Sequence, residues 1–262
     1  MKIAFLILAH KDPRQVAQLV EVLSSDGDQV LIHLDRRSDT EEFQRLPLIS
    51  ERFPVTWGGF GMIRATNALL AAGKDYDFAY LLSGQCFPLR SVAWLKTQLQ
   101  DGRDRIEAGR MPNPWKPLWR VQKRHANATP QWARRPLKRI LNLTHRPDFT
   151  ETFGLTPHGG SQWWCLSRDT VETFADFRRR RPDYDRYMRW CHVPDECYYQ
   201  TLAANFSRAL GPPLTMAVWA DTDGVHPRIL SLEDTVRLRL EPIFAARKFA
   251  PDTASALYAR SL

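Results

Sequence analysis

The chain has 262 residues, 44% of them apolar and 11% aromatic, enough to bury a sizeable core in one domain and too apolar for a disordered polymer. Its net charge of +8 favours an acidic partner, whether a phosphorylated ligand, an anionic membrane surface or a nucleic acid, and does not choose among them. Four cysteines, Cys86, Cys165, Cys191 and Cys197, are few for a disulfide scaffold and lack the paired spacing of a zinc site, so reduced, mostly structural thiols are expected.

In chain order, the apolar run Ile3 to Ala9 reads as a strand buried on both faces. It is too short to span a bilayer, and His10, Lys11, Asp12 and Pro13 follow without a small-residue cleavage site, which points to a cytoplasmic protein. Asp12-Pro13 opens a helix through Leu23, because proline is tolerated in a first helical turn. Gln29 to Leu34 is a second strand ending at Asp35, Phe53 to Trp57 a third, Met62 to Ala72 a helix, and Phe78 to Leu82 a fourth strand. Strands alternating with helices predict an α/β fold, a mostly parallel, Rossmann-type sheet flanked by helices in a single domain over residues 1–262. Ligands of such sheets bind beyond the carboxyl ends of the strands, which gathers His10, Asp35, Trp57 and Ser83-Gly84-Gln85 around one cleft.

From Arg110 to Pro147 the chain carries ten basic residues and no acidic one, with Trp115, Trp119 and Trp132 and several prolines interspersed. This predicts an irregular basic excursion at about 101–147, with a short amphipathic helix around Pro136 to Leu143. An anionic membrane surface or a single-stranded polymer would suit it. Farther on, Gln162 to Leu166 reads as a strand, and Ser167 caps a helix from Arg168 to about Arg179. A helix begins at Asp195, Asp221 to Gly224 forms a turn, another helix runs from Leu232 to about Leu240, and a mobile tail begins at about residue 250.

Val193-Pro194-Asp195-Glu196 puts two carboxylates in a first helical turn, where one can cap and the other can face a cleft. Transfer of a sugar with inversion needs one base for the acceptor proton, while the departing nucleotide diphosphate gathers negative charge. No Asp-x-Asp follows the fourth strand, and Asp221-Thr222-Asp223 has the spacing but a turn-like setting. Without a metal ion, side-chain cations must neutralise the leaving group, and Arg228 and Lys248 are the candidates: guanidinium grips phosphate in a fork and ammonium acts as a point charge.

Taken in order, Ala4 to Asp35, Val55 to Ala65, Leu81 to Leu89, Gly160 to Trp163, Pro194-Asp195-Glu196, Asp223 to Arg228 and Ala246 to Phe249 resemble the core-2/I-branching β-1,6-N-acetylglucosaminyltransferases and peptide O-xylosyltransferases. The resemblance implies a GT-A fold and an inverting, metal-independent transfer from a UDP-sugar. By position, Glu196 matches the family's catalytic base, and Arg228 and Lys248 match the cations on the donor diphosphate. Leu8, Ala9, His10, Asp35 and Trp57 fall where the family contacts uridine, and Trp219 falls near an aromatic that contacts acceptor sugar. Cys86 departs from the pattern, standing where the family usually carries aspartate. The chain resembles a compact bacterial-type member, without the membrane anchor, stem and disulfide-rich character of the animal Golgi enzymes.

The expectation is therefore an inverting UDP-sugar glycosyltransferase. Its donor sugar is N-acetylglucosamine or xylose, its acceptor a glycan, glycolipid or peptide, and it uses no cofactor, metal or nucleic acid. Peripheral contact with the inner face of an anionic membrane fits the basic excursion. The competing reading is a non-catalytic protein that binds an anionic polymer or nucleic acid through residues 110–146.

Overall fold

A computed structural model of the chain describes residues 1–24, 27–126, 133, 136–137, 141, 146–219 and 226–261. The first apolar run forms β1 (Ile3–Ala9), buried at every position. It lies between β2 (Gln29–Leu34) and β3 (Phe78–Ser83), parallel to both. Side chains alternate across a strand, so this one run feeds two cores. Ala4, Leu6 and Leu8 join one cluster, while Ile3, Phe5, Ile7 and Ala9 join the other. Helix α1 (Pro13–Leu23) packs Val16, Leu19 and Leu23 into the second cluster, and α2 (Gly61–Ala72) packs Ile63, Ala65 and Leu69 into the first.

Downstream, β4 is Cys86–Pro88, β5 Asp104–Arg105, β6 Gly109–Arg110, β7 His158–Gly159, β8 Cys165–Ser167, β9 Leu210–Gly211, β10 Thr215–Ala217 and β11 Ala245–Arg247. The main sheet has the order β2-β1-β3-β8-β5-β9, in which only β8 runs against its neighbours. A three-stranded sheet, β10-β11-β4, and a β6-β7 pair complete the described strands. This is the GT-A-like, mostly parallel α/β arrangement expected from the sequence, in one compact domain.

Several elements differ from their sequence expectations. Phe53 to Trp57 is not a strand; side chains rather than a ladder hold it, with the Phe53 amide donating to His33 Nε2 (2.9 Å) and the Val55 amide to Asp35 Oδ2 (3.1 Å). The strand placed at Gln162 to Leu166 begins later, at Cys165. The helix expected from Asp195 divides into a 3-10 turn, Pro194–Glu196, and an α-helix, Tyr198–Phe206. The tail expected from about 250 is a helix, Pro251–Ala259, that buries Ala254 and Leu257 and bonds Ser255 to Gln18 of α1. Ser167 caps the Arg168–Arg180 helix as expected, accepting from the Thr170 amide.

None of the four cysteines forms a disulfide, and all are buried. No helix among the described residues is long and apolar enough to cross a membrane. Most of the helix expected around Pro136 to Leu143, together with Trp132 and the Asp221 to Gly224 turn, lies outside the described residues.

Candidate active site

The carboxyl ends of the first three strands meet as expected. The Asp35 amide donates to Ala9 O and the Gly84 amide to Leu8 O, both at 2.9 Å, and Ser38 Oγ donates to His10 O at 2.7 Å. A Cβ on Gly84 would stand 2.9 Å from Val16 Cγ2 and 3.5 Å from Ala9 Cβ, so this turn can approach β1 only as glycine. Leu8 and Ala9 spend their side chains in the cores and offer a ligand only backbone. His10 is at the rim: burial lowers its pKa, with Lys11 and, more weakly, Lys248 acting the same way against Asp35.

Asp35 is committed within the protein. It accepts from the Arg37 amide (2.9 Å), Arg37 Nε (3.2 Å), Arg37 Nη2 (2.9 Å) and the Val55 amide (3.1 Å). Burial works to raise its pKa, but these bonds outweigh burial and hold the carboxyl below the usual range. Its present role is to fasten the Phe53 to Trp57 segment to the end of β2. Trp57 itself is exposed.

The adjoining Gly58 has φ 65°, and a Cβ there would lie 3.3 Å from Val193 Cγ2. Val193, also in the left-handed region at φ 49°, introduces the turn that carries Glu196. This close approach sets the loop after Trp57 against the turn that carries Glu196.

Glu196 has partners that the sequence reading missed. Lys116 Nζ and Arg120 Nη1 each reach its Oε2 at 2.6 Å, and all three side chains are mostly buried. Both bonds end on Oε2, so Oε1 carries neither. Lys116 and Arg120 belong to the basic excursion assigned from sequence to a polymer or membrane surface, and the structure turns them inward. No local pattern signalled this pairing, since Lys116 precedes the short Trp119–Gln122 helix and both cations are far from Glu196 in sequence. Arg146 of the same stretch is also internal, donating to Tyr187 O (2.6 Å) and stacking its guanidinium 3.7 Å from the Tyr187 ring centre.

Asp195, next to Glu196, is buried, and among the described residues its Oδ1 finds no partner. Burial pushes its carboxyl up to about 7, and the Glu196 charge adds to that effect against the milder pull of Lys116 and Arg120. His192, at the start of the same loop, is lowered to about 4, first by burial and then by His125 and Arg120. The loop therefore combines a carboxylate fastened by two cations with a buried carboxyl that holds its proton more tightly than usual and a buried imidazole that holds its proton less tightly.

Arg228 and Lys248 lie on adjoining chain segments. The Lys248 amide donates to Arg228 O (3.4 Å), the Leu230 amide donates to Lys248 O (2.8 Å), and Leu230 pairs with Phe249 in a parallel bridge. Arg228 Nη2 bonds Asp234 Oδ1 at 2.5 Å, while its Nε is buried without a partner among the described residues. Lys248 has its pKa lowered by burial, then by Arg247 and Lys11, and no carboxylate among the described residues pairs with it. Trp219, partly exposed, adjoins Val218, whose carbonyl accepts from the Arg228 amide.

Glu196 bonds neither cation directly. One short segment joins the two sides: the Gly160 amide donates to Glu196 O at 3.0 Å, and the Trp163 ring lies 4.5 Å from the Arg247 guanidinium. Three residues span at most ~11 Å, so the turn that carries Glu196 and the strand that ends at Arg247 flank the same stretch.

The family model for the Core-2/I-Branching enzyme matches residues 3–239. The chain belongs to that family. Among its relatives, it is 24% identical over 291 residues to a xylosyltransferase of Ciona intestinalis, a match covering 95% of this chain and 32% of that protein. It is 22% identical over 217 residues to beta-1,3-galactosyl-O-glycosyl-glycoprotein beta-1,6-N-acetylglucosaminyltransferase 4 of Danio rerio, covering 77% and 49% of the two chains. Human xylosyltransferase 2 is 22% identical, with 95% and 32% covered. The chain thus spans about a third of the xylosyltransferases it matches and about half of the other relative. Within this Core-2/I-Branching chain, the matched residues include Glu196 and Arg228, while Lys248 lies beyond them.

Proposed function

We propose that the chain is an inverting glycosyltransferase that moves a sugar from a UDP-sugar to an acceptor hydroxyl, with Glu196 as base and Arg228 and Lys248 holding the donor diphosphate. The observation that carries this reading is the fixing of Glu196 by Lys116 and Arg120 through one oxygen only. A carboxylate held in that way has a defined orientation, and its second oxygen remains for the acceptor proton.

The step balances without an added ion. The acceptor oxygen forms a bond to the anomeric carbon as its proton passes to Glu196 Oε1. The bond from that carbon to the diphosphate oxygen breaks, and its electron pair leaves with UDP. Lys248, which lacks a carboxylate partner among the described residues, and the unpartnered Nε of Arg228 supply donors where the negative charge gathers. Asp35, His10 and Trp57 frame the uridine side, and Trp219 is the candidate acceptor aromatic. The relatives' names favour N-acetylglucosamine or xylose as the sugar, with a glycan, glycolipid or peptide hydroxyl as acceptor.

The test combines a thermal-shift screen of UDP and UDP-sugars with assays of Glu196→Gln and of the wild type in chelator. A ligand that binds only the folded form raises its melting temperature, so UDP must stabilise both proteins. Glu196→Gln should lose about 10²- to 10⁴-fold in turnover, the usual contribution of a general base, and chelation should leave the wild type active. Manganese-dependent activity would refute the metal-free step, and an unimpaired Glu196→Gln would refute the base.

A further inference from the structure

A cavity of about 340 Å³ is lined in part by Phe153, Tyr187 and Trp190. That volume lies at the small end of the range for ligand pockets, roughly 300–1,000 Å³. Three guanidinium groups, those of Arg124, Arg146 and Arg186, also line it, against a single carboxylate, Asp183. Asp183 is already taken: its two oxygens accept from Arg181 Nε at 3.0 Å and Nη2 at 2.8 Å.

Arg146 is held by neutral groups. It donates to Trp190 O (3.4 Å), Tyr187 O (2.6 Å) and Cys191 Sγ (3.3 Å), and among the described residues it forms no ion pair. Its charge is therefore fixed in the wall and not cancelled there. A partly buried charge of this kind acts through a lower effective dielectric than water and attracts an anion more strongly.

Direct contacts link the cavity wall to the residues around Glu196. Arg120, bonded to Glu196, accepts at its carbonyl from the His192 amide (2.9 Å). His192 packs on Trp119 and His125 with ring centres 5.2 and 5.0 Å away, and the His125 amide donates to Trp190 O at 2.8 Å. Backbone bonds and packed rings thus connect Arg120, beside the proposed base, to Trp190 in the cavity wall.

We propose that this cavity is a distal acceptor subsite for a saccharide ring bearing a negatively charged substituent, seated there while the hydroxyl to be glycosylated lies at Glu196. Aromatic walls cover the apolar face of a sugar ring, and a guanidinium fork matches the planar geometry of a carboxylate. Neutral saccharides would forgo the second term. The assignment of this ligand as an acceptor rests on the transferase reading, whereas its charge preference rests on the cavity alone.

The probe is a trigalacturonate, compared with its carboxyl-reduced neutral analogue, titrated against the full chain by tryptophan fluorescence. Parallel titrations use Arg124→Ala, Arg186→Ala and Arg186→Glu, and UDP affinity is measured for all. Arg186 is exposed and forms no ion pair among the described residues, so its variants retain the fold. The charged saccharide should bind about tenfold more tightly than the neutral one, and each alanine variant should lose about that factor. UDP affinity should not change.

Equal binding of the two saccharides, or unimpaired variants, would overturn the subsite even if UDP binds normally. Failure of UDP to bind, with the charge preference intact, would overturn the transferase reading instead. Loss of phosphatidylglycerol-vesicle binding by Arg186→Glu, without any change in trigalacturonate binding, would assign the cavity to lipid phosphate and overturn the saccharide.

Discussion

Lys116 Nζ and Glu196 Oε2 lie 2.6 Å apart across 80 residues of sequence, tying the basic excursion to the turn that carries the proposed base. Arg120 reaches the same oxygen, so the carboxylate is held from two directions. Lys116→Met removes one restraint while leaving Arg120 to keep the charge compensated. A displacement of about 1 Å in a catalytic group costs roughly 10²-fold in rate. Turnover in Lys116→Met should fall by that order with donor binding unchanged, and Lys116→Arg should restore part of it. If donor affinity falls in step with turnover, Lys116 is acting on the donor and not on Glu196.

Lys248 offers a test that needs no acceptor. Burial, Arg247 and Lys11 all lower its pKa in the unliganded protein, and a bound diphosphate would reverse that, because an adjacent anion favours the ammonium form. UDP binding at alkaline pH should therefore take up protons, seen calorimetrically as a binding enthalpy that depends on the buffer's ionisation enthalpy. Lys248→Met should abolish that uptake and weaken UDP by about ten- to a hundredfold, the scale of one charge-assisted hydrogen bond, with uridine binding unaltered. Proton uptake that persists in Lys248→Met would place the titrating group elsewhere.

The central sheet was legible because β1 and β3 are continuous apolar runs, and such runs in an alternating strand and helix pattern have few other solutions. Glu196, Arg228 and Lys248 could be nominated because charge and local chemistry single them out. Lys116 and Arg120 could not be paired with Glu196, since a run of cations without acids looks the same whether it faces solvent or a distant carboxylate. The Phe53 to Trp57 segment misled for a related reason: its apolar residues suit a strand, but its backbone bonds go mainly to the His33, Asp35 and Arg37 side chains, with a backbone bond from the Arg36 amide. The C-terminal helix was missed because its burial depends on α1, more than 200 residues earlier.

Gly160 lies between two carbonyls that leave no room for a side chain. A Cβ there would stand 2.0 Å from Glu107 O, while the Gly160 amide bonds Glu196 O at 3.0 Å. Gly160→Ala must push the backbone away from Glu107 and disturb its bond to Glu196. Overpacking of this kind costs about 1–3 kcal/mol, and the shift should lower turnover more than it lowers UDP affinity. Retention of full turnover together with wild-type urea stability would show that the clash relaxes away from Glu196.

Asp195 should leave a pH signature in stability. Its carboxyl titrates near 3.8 when free and at about 7 in the folded chain, so between those values the folded state holds a proton that the unfolded state has released. Stability must then fall as pH rises through this window and level off above it. The full shift corresponds to at most ~4 kcal/mol. His192 has the opposite sign: held near 4 against an ordinary 6.5, it favours the folded state above 6.5 and loses that contribution as pH falls toward 4. The two therefore partly offset each other in the wild type. Asp195→Asn removes one of them, so in urea unfolding its stability relative to wild type should be small near pH 4 and grow to a plateau above about pH 7. A difference that stays constant with pH would mean that Asp195 ionises as an ordinary carboxylate and that water or an ion reaches its unpartnered oxygen.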